Sequence, residues 1–313
     1  MADLQTKKAA GSERSTWPGV LRNVAIALLV AAAVAWALAQ GSVAAGDAGV
    51  QAYLPVVWLC ALLAFVVQWV AFVPAFAAKT EHYYDLTCSL TYLLVSLSAA
   101  LLVGAWDPRS LIVLAMIWLW AGRLGTFLFR RVRRAGGDSR FDRMKLDAAL
   151  FFQAWSLQGL WVFLTLAAAL AALTAPGDRR PDLGVLDLVG IAVWAFGWGF
   201  EVVADRQKSA FRSDPENRGN FISTGLWAWS RHPNYFGEIV LWTGVALVAT
   251  PTLDGWRWAA WISPAFVAFL LTRVSGVPML ERSADRRWGG QREYELYKQQ
   301  TPVLVPRPPR RSR

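Results

Sequence analysis

The 313-residue sequence is poor in charge. Asp, Glu, Lys and Arg together supply 17% of it, where a soluble domain carries roughly a quarter. Histidine is nearly missing: His82 and His232 are the only two, with no HxxxH spacing and no Cys/His cluster, so no metal site is expected. The two cysteines, Cys60 and Cys88, fall in or at the edge of apolar stretches and form neither a CxxC pair nor a disulfide framework. There is no P-loop. Gly197-Trp198-Gly199 lies inside an apolar block and lacks the strand and third glycine of a dinucleotide fingerprint, so it reads as helix packing. No internal repeat is evident.

What the sequence has instead is apolar length. Hydrophobic residues make up 55%, and the mean hydropathy is +0.33. They collect in blocks near the roughly 20 residues that a helix needs to cross a hydrocarbon core. The blocks run approximately Leu21–Ala39, Ala52–Phe76, Leu86–Trp106, Leu111–Phe129, Ala148–Leu173, Leu183–Val203, Tyr235–Thr250 and Trp256–Arg273. The expected fold is all-α, a polytopic transmembrane bundle of seven to eight spans. The seventh block is short and is the one most open to tilt or kinking.

The net charge of +10 does not point to nucleic acid, because Lys and Arg sit in alternate connections and no reader module is present. The N-terminal segment carries Lys7, Lys8, Arg14 and Arg22. Arg130, Arg131, Arg133, Arg134, Arg140, Arg143 and Lys145 follow the fourth. Arg206, Lys208, Arg212, Arg218 and Arg231 follow the sixth, and the tail is Arg-rich. The opposite connections hold only Arg109, Arg179, Arg180 and Arg257. The positive-inside rule then gives an N-in, C-in protein. Ala37-Leu38-Ala39 also permits reading the first block as a cleaved signal, which would leave seven spans with the same sidedness. The organisation expected is a tail and first span over 1–50, a membrane domain over 51–305 and a basic disordered tail over 306–313.

Ionisable residues inside such blocks are expensive and call for a reason. Arg123 lies within the fourth block, where it either snorkels to the basic connection or faces a buried phosphate or carboxylate. Glu201 and Asp205, at i and i+4, share a helix face that Lys208 and Arg212 extend if the helix runs that far. Gln153 and Gln158 fit interhelical hydrogen bonds. In Arg231-His232-Pro233-Asn234-Tyr235-Phe236-Gly237-Glu238, Pro233 can open a helix. That helix would carry Asn234 and Glu238 on one face, with Arg231 and His232 at its anion-favouring N-terminus. A last cluster, Glu281 to Trp288 and Glu293 to Lys298, reads alone as an amphipathic helical segment.

With these residues in view, the chain resembles the steroid 5α-reductase-like superfamily of membrane enzymes, in particular its bacterial DUF1295 branch, over roughly Lys79 to Pro306. The resemblance rests on Tyr84-Asp85-Leu86-Thr87, Asp138-Ser139-Arg140-Phe141-Asp142 and Trp155-Ser156-Leu157-Gln158-Gly159. It continues through Arg231-His232-Pro233-Asn234-Tyr235 with Glu238, Gly276-Val277-Pro278-Met279-Leu280-Glu281, and Tyr294 and Tyr297 before Thr301-Pro302. The Arg-His-Pro-Asn-Tyr piece alone is shared with sterol reductases and with isoprenylcysteine and phospholipid methyltransferases.

The resemblance implies NADPH held among the C-terminal spans without a Rossmann domain, and hydride transfer to an enone-type carbon of a lipophilic substrate. By position, Arg212 and Arg231 would meet phosphates. His232 would lie beside them, and Asp205, Asn234, Tyr235 and Glu238 would hold the ribose or nicotinamide end. Arg123 and Gln158 would stand beside the cofactor, and Arg282, Tyr294 and Tyr297 would close the adenosine end. Where steroid 5α-reductases carry a carbonyl-polarising tyrosine, this chain has Trp120. The family's substrate-orienting glutamine and glutamate also have no counterpart in the second block, where only Gln68 is polar. The polar group Glu81, His82, Tyr83, Tyr84 and Asp85 at the cytoplasmic edge is the candidate to substitute, which makes Glu81 and Tyr84 candidate catalytic residues. The alternatives are an S-adenosylmethionine-dependent methyltransferase and a non-catalytic lipid-binding protein. The expected location is the bacterial inner membrane with the site facing the cytoplasm. The expected partners are a lipophilic small molecule and membrane lipid, not nucleic acid.

Overall fold

The computed structural model describes residues 17–42 and 55–309. Lys7, Lys8 and Arg14, the start of the second block at Ala52, and the tail residues from Arg310 lie outside them. Eight segments match the eight apolar blocks. They are α1 (Trp17–Ala39), α2 (Val56–Ala77), α3 (Tyr84–Val103), α4 (Pro108–Ala135), α5 (Ala148–Leu173), α6 (Val185–Ser213), α7 (Pro233–Ala249) and α8 (Ile262–Phe269), the last entered by a 3-10 stretch and extended by a π-turn over Leu270–Val274. Two polar helices follow, α9 (Val277–Trp288) and α10 (Arg292–Gln300).

Seven stretches are long and apolar enough to cross a membrane: α1 to α6, and the run Gly255–Trp288 that contains α8. This is the architecture of an integral membrane helical bundle. With 17 residues, α7 reaches only about 25 Å, short of a ~30 Å hydrocarbon core. The short seventh block is therefore a genuine feature of the fold.

The bundle is organised around α5. Val162 to Leu173 are buried on every side, and α5 packs against α1, α2, α3, α7 and α8. The surrounding helices bury one face and turn Leu29, Val70, Leu101 or Leu188 outward, which is stable only where the outside is itself apolar. Asp147 caps α5, its carboxylate accepting from the Ala149 N–H at 2.9 Å, and Asp107 caps α4.

Two helices overshoot their expected ends. α4 continues through its arginines to Ala135, and α6 reaches Ser213. Arg and Lys are good helix formers, so the change from apolar to basic marks the edge of the bilayer core without ending the helix. The chain just before the end is tied down: the Arg231 N–H donates to the Pro302 carbonyl and the Arg307 N–H to the Trp229 carbonyl, both at 2.9 Å. The chain from Pro302 to Arg307 is thus strapped under the turn that precedes α7.

Charge divides the two ends of the bundle. At one end lie Arg130 to Arg134, Arg206, Lys208, Arg212, Arg286 and Arg287. At the other, Arg109 pairs with Asp187 at 2.8 Å, Arg180 with Asp107 at 2.7 Å and Arg179 with Asp254 at 2.6 Å. Arg257, fully buried there, donates to the Leu38 and Ala171 carbonyls and so ties α1 to α5. The few arginines of the second end are neutralised or capped, so the contrast in free charge exceeds the contrast in residue counts.

The closest crossing is between α6 and α7. Gly190 and Gly197 on one helix meet Gly244 and Gly237 on the other, and backbone touches backbone. Small residues permit this approach in membrane bundles. A Cβ at Gly197 would lie 2.5 Å from the Leu241 nitrogen and 2.7 Å from the Gly237 oxygen. Gly197→Ala is therefore expected to cost about 1–3 kcal/mol as overpacking. At Gly199, where a Cβ meets nothing within 4 Å, Gly→Ala is expected to stabilise the helix by roughly 0.5–1 kcal/mol. Unfolding midpoints of the two variants in detergent check both signs.

Candidate active site

The α6–α7 crossing presses two acidic faces together. Glu201 and Asp205 on α6 lie against Asn234 and Glu238 on α7, and all three carboxylates are at least nine-tenths buried. Arg123 enters from α4. Its guanidinium donates to Glu201 Oε1 at 2.6 Å and to Asp205 Oδ2, and Asn234 Nδ2 donates to Asp205 Oδ1 at 3.4 Å. Of the two readings that the sequence left open for Arg123, the structure has the buried ion pair, not a snorkelling side chain. Three acids meet one cation, and Glu201 Oε2 finds no partner. The centre thus keeps acceptor capacity for a ligand that donates hydrogen bonds.

Along α6 the acids give way to cations. Lys208 and Arg212 follow on the same face, Arg131 approaches from the end of α4 and Arg287 from α9, each acting on its neighbours as a like charge. Lys208 Nζ sits 4.3 Å over the Trp227 ring. Lys208, Arg212 and Arg287 form no ion pair among the described residues, and Arg131 has only a 3.9 Å approach to Asp85.

Arg231 and His232, expected at the helix N-terminus, are there but occupied. Arg231 Nη1 donates to Glu281 Oε2 at 2.5 Å, and His232 Nε2 lies 2.8 Å from Glu281 Oε1. Burial pushes the His232 imidazole below its ordinary value, and the Glu281 carboxylate only partly offsets this. The ring stacks on Tyr235, 5.6 Å away at 9°. Arg231 is therefore a brace between α7 and α9 before it is a phosphate ligand. Tyr294 donates to Asp285 and Tyr297 to the Trp227 carbonyl, while Arg282 is exposed.

Two residues expected to work on substrate are engaged elsewhere. Glu81 accepts from the Asp138 N–H at 2.9 Å and pairs with Lys145 at 2.9 Å, clipping the connection after α4 to the start of α3. Burial works against its charge, but the Asp138 N–H and Lys145 hold its carboxyl below the usual glutamate value. Tyr84 donates its hydroxyl to the Ala154 carbonyl and packs between Phe141 and Trp155. Both are latches, because each polar group is consumed by a neighbouring segment. Gln158 donates to the Tyr84 carbonyl, leaving its own oxygen unpaired. Trp120 is buried one turn from Arg123. Sequence reasoning quoted Glu281 without assigning it a task and overlooked Arg131 and Arg287. Their roles depend on partners about 50 to 80 residues distant, which no local pattern announces.

Residues 71–301 match the family of proteins of unknown function designated DUF1295. The chain belongs to that family. DUF1295 lies within the steroid 5α-reductase-like superfamily. Two uncharacterized proteins of Schizosaccharomyces pombe are similar to this DUF1295 chain, at 25% identity over 49% of it and 27% over 37%. A probable O-methyltransferase, ustE of Ustilaginoidea virens, is 26% identical over 40%. The matches cover 53%, 42% and 52% of those relatives, so the chain spans about half their length. All three are fungal and lend nothing to a specifically bacterial branch. No solved structure matches.

In this DUF1295 protein, Arg123→Met is expected to destabilise by about 3–5 kcal/mol, because it leaves Glu201 and Asp205 buried without their cation. Adding Glu201→Gln and Asp205→Asn is expected to restore most of the loss in thermal unfolding. Since folding lowers the Glu81 pKa, its contribution is present above the unfolded glutamate value of about 4.3 and is lost as pH falls through the folded value. Glu81→Gln should therefore be less stable than wild type at pH 7, with the gap closing below about pH 4. Denaturant midpoints against pH measure this.

Proposed function

We propose that this protein is a membrane-embedded reductase that binds NADPH and reduces a lipophilic, enone-type substrate. The observation that carries the reading is the group of cations without ion-pair partners at the end of the acidic face. From Glu201 to Arg212 the stripe spans eleven residues, about 16 Å of helix. That is long enough for an extended dinucleotide, and it offers different chemistry at its two ends. Lys208, Arg212, Arg131 and Arg287 suit phosphates. Asp205, Asn234, Glu238 and the unpaired Glu201 oxygen suit the donors of a ribose or a carboxamide, which carry no negative charge.

When bound, NADPH supplies the hydride. The chain's own contribution is to hold it: Arg123 keeps the acids in place, and the α6–α7 crossing fixes Asn234 against Asp205. The surrounding apolar helices exclude water. The free basic charge at this end favours a cytoplasmic opening under the positive-inside rule.

The likeness to a probable O-methyltransferase supports a second reading, with S-adenosylmethionine in the same site. That ligand has an acid-seeking sulfonium but no phosphate, and it leaves the cation group without a purpose.

Thermal-shift titration of the detergent-purified protein with NADPH, NADH and S-adenosylmethionine tests the choice. A ligand at a hundred times its Kd stabilises by about 2.7 kcal/mol. NADPH is expected to raise the melting temperature by several degrees and more than NADH, and Lys208→Ala or Arg212→Ala to remove most of the rise. A shift with S-adenosylmethionine alone would sink the reductase reading.

A further inference from the structure

The side of α6 turned away from the acidic stripe carries a groove of about 340 Å³, lined by Ala195, Phe196, Gly199, Phe200, Val203 and Leu226. At 100° per residue, Ala195, Gly199 and Arg206 fall within about 40° of one another around the helix. Two small residues therefore form a floor that leads toward a guanidinium. A Cβ at Gly199 would meet nothing within 4 Å, so the floor is bare there. Phe196 and Phe200 stand 5.6 Å apart along the groove, and Phe200 meets Phe236 of α7 at 5.4 Å. Leu226 reaches in from the turn before α7. Gln207 holds that turn on α6, its Oε1 accepting from the Leu226 N–H at 2.9 Å.

The surroundings identify the guest. Phe196 and Val203 are 57% and 44% exposed on a helix long and apolar enough to span a membrane, so hydrocarbon is the medium the groove meets. Arg206 lies one turn beyond Val203, about 4–5 Å further along the axis. It is exposed, and the neighbouring Asp205 is already committed to Arg123. An arginine alone at a span's end snorkels into water, and an apolar groove alone takes any passing chain. The two on one helix face call for an amphiphile with a phosphate at one end of an alkyl chain. The other cations of this end, Lys208, Arg212 and Arg218, would repel a headgroup ammonium, which favours a lipid of net negative charge. A second groove, of about 280 Å³, lies between α2 and α3 and includes Leu59, Leu63 and Leu102. It is toward the opposite end of the bundle, where the arginines are paired or capped.

We propose that this face of α6 is a binding site for an anionic glycerophospholipid of the leaflet at the basic end, with one acyl chain in the groove and the phosphate on Arg206. The site is separate from the candidate active site, on the other side of the same helix, and does not depend on the reductase reading. Through Leu226 it also touches the turn that starts α7, so a bound lipid stiffens the back of the α6–α7 pair.

Two lipids of identical chains, phosphatidylglycerol and phosphatidylcholine, test the proposal in thermal-shift titrations of the delipidated full chain in detergent. Phosphatidylglycerol is expected to raise the wild-type melting temperature by several degrees more than phosphatidylcholine at equal mole fraction. Arg206→Gln should bring its increment down to the phosphatidylcholine level. Gly199→Phe, which fills the groove where a side chain meets no neighbour, should lower both increments. Arg130→Gln, an exposed arginine at the same end of α4, should keep the wild-type preference. Equal increments for the two lipids in wild type would overturn the proposal, as would an Arg206→Gln protein that keeps its preference. A loss in Arg130→Gln as large as that in Arg206→Gln would also overturn it, since diffuse charge would then suffice. So would native mass spectrometry in which wild type is a dimer and Gly199→Phe a monomer, because a second copy of the chain would then cover the groove.

Discussion

The ion pair that Arg123 makes with Glu201 and Asp205 is the constraint around which the basic half of the bundle is built. A charge buried in a membrane helix survives only with a partner, and here the partners come from two further elements. α4 brings the cation, α6 the two carboxylates, and α7, pressed onto α6 by glycine contacts, adds Asn234 and Glu238. None of the three helices could keep these residues at that depth alone. Removing the glycine contact would separate the acids from Asn234, and removing the arginine would leave the acids to repel one another. The crossing and the charge cluster therefore stabilise each other, and the site is the product of both.

A second layer of contacts holds this arrangement at the basic end. Glu281 accepts from Arg231 and meets His232, so the turn that starts α7 is bound to α9. The strap from Pro302 to Arg307 crosses under the same turn. Tyr297 donates to the Trp227 carbonyl, and the Trp227 indole donates to the Ala204 carbonyl on α6. The start of α7 thus cannot move without disturbing three later segments. Such bracing suits a site whose polar groups must stay aligned to a ligand, because each ligating side chain leans on a partner that is itself fixed.

Much of this was legible in the sequence. Apolar blocks separated by alternately basic connections gave the spans, and Gly197 was readable as a packing residue. The i, i+4 spacing of Glu201 with Asp205, and of Asn234 with Glu238, gave the faces that meet. What spacing could not give is choice of partner. Arg231 looked like a phosphate ligand because it sits at a helix N-terminus, and only the return of the chain at Glu281 reveals its prior engagement. Glu81 and Tyr84 looked free because their partners, Lys145 and Ala154, lie about 65 to 70 residues further on. The segment from Pro302 to Arg307 offers no core residues, yet backbone groups and the Ser230 hydroxyl, which donates to the Leu304 carbonyl at 2.8 Å, strap it in place. Periodicity reports which side of an element is polar, and the fold decides what that side is polar for.

The replacement of an expected tyrosine by Trp120 bears on the chemistry in a way that neither residue reveals alone. An indole at that position keeps an aromatic wall and an N–H donor but gives up a hydroxyl proton. On the facing helix, Tyr92 packs edge-on against the same indole and carries the hydroxyl that α4 lacks. The cations at the far end of α6 repel one another, and the fold offsets this only in part, with Lys208 over the Trp227 ring and Arg287 over the Trp288 ring. The acids held by Arg123 lie between these cations and the Trp120 indole.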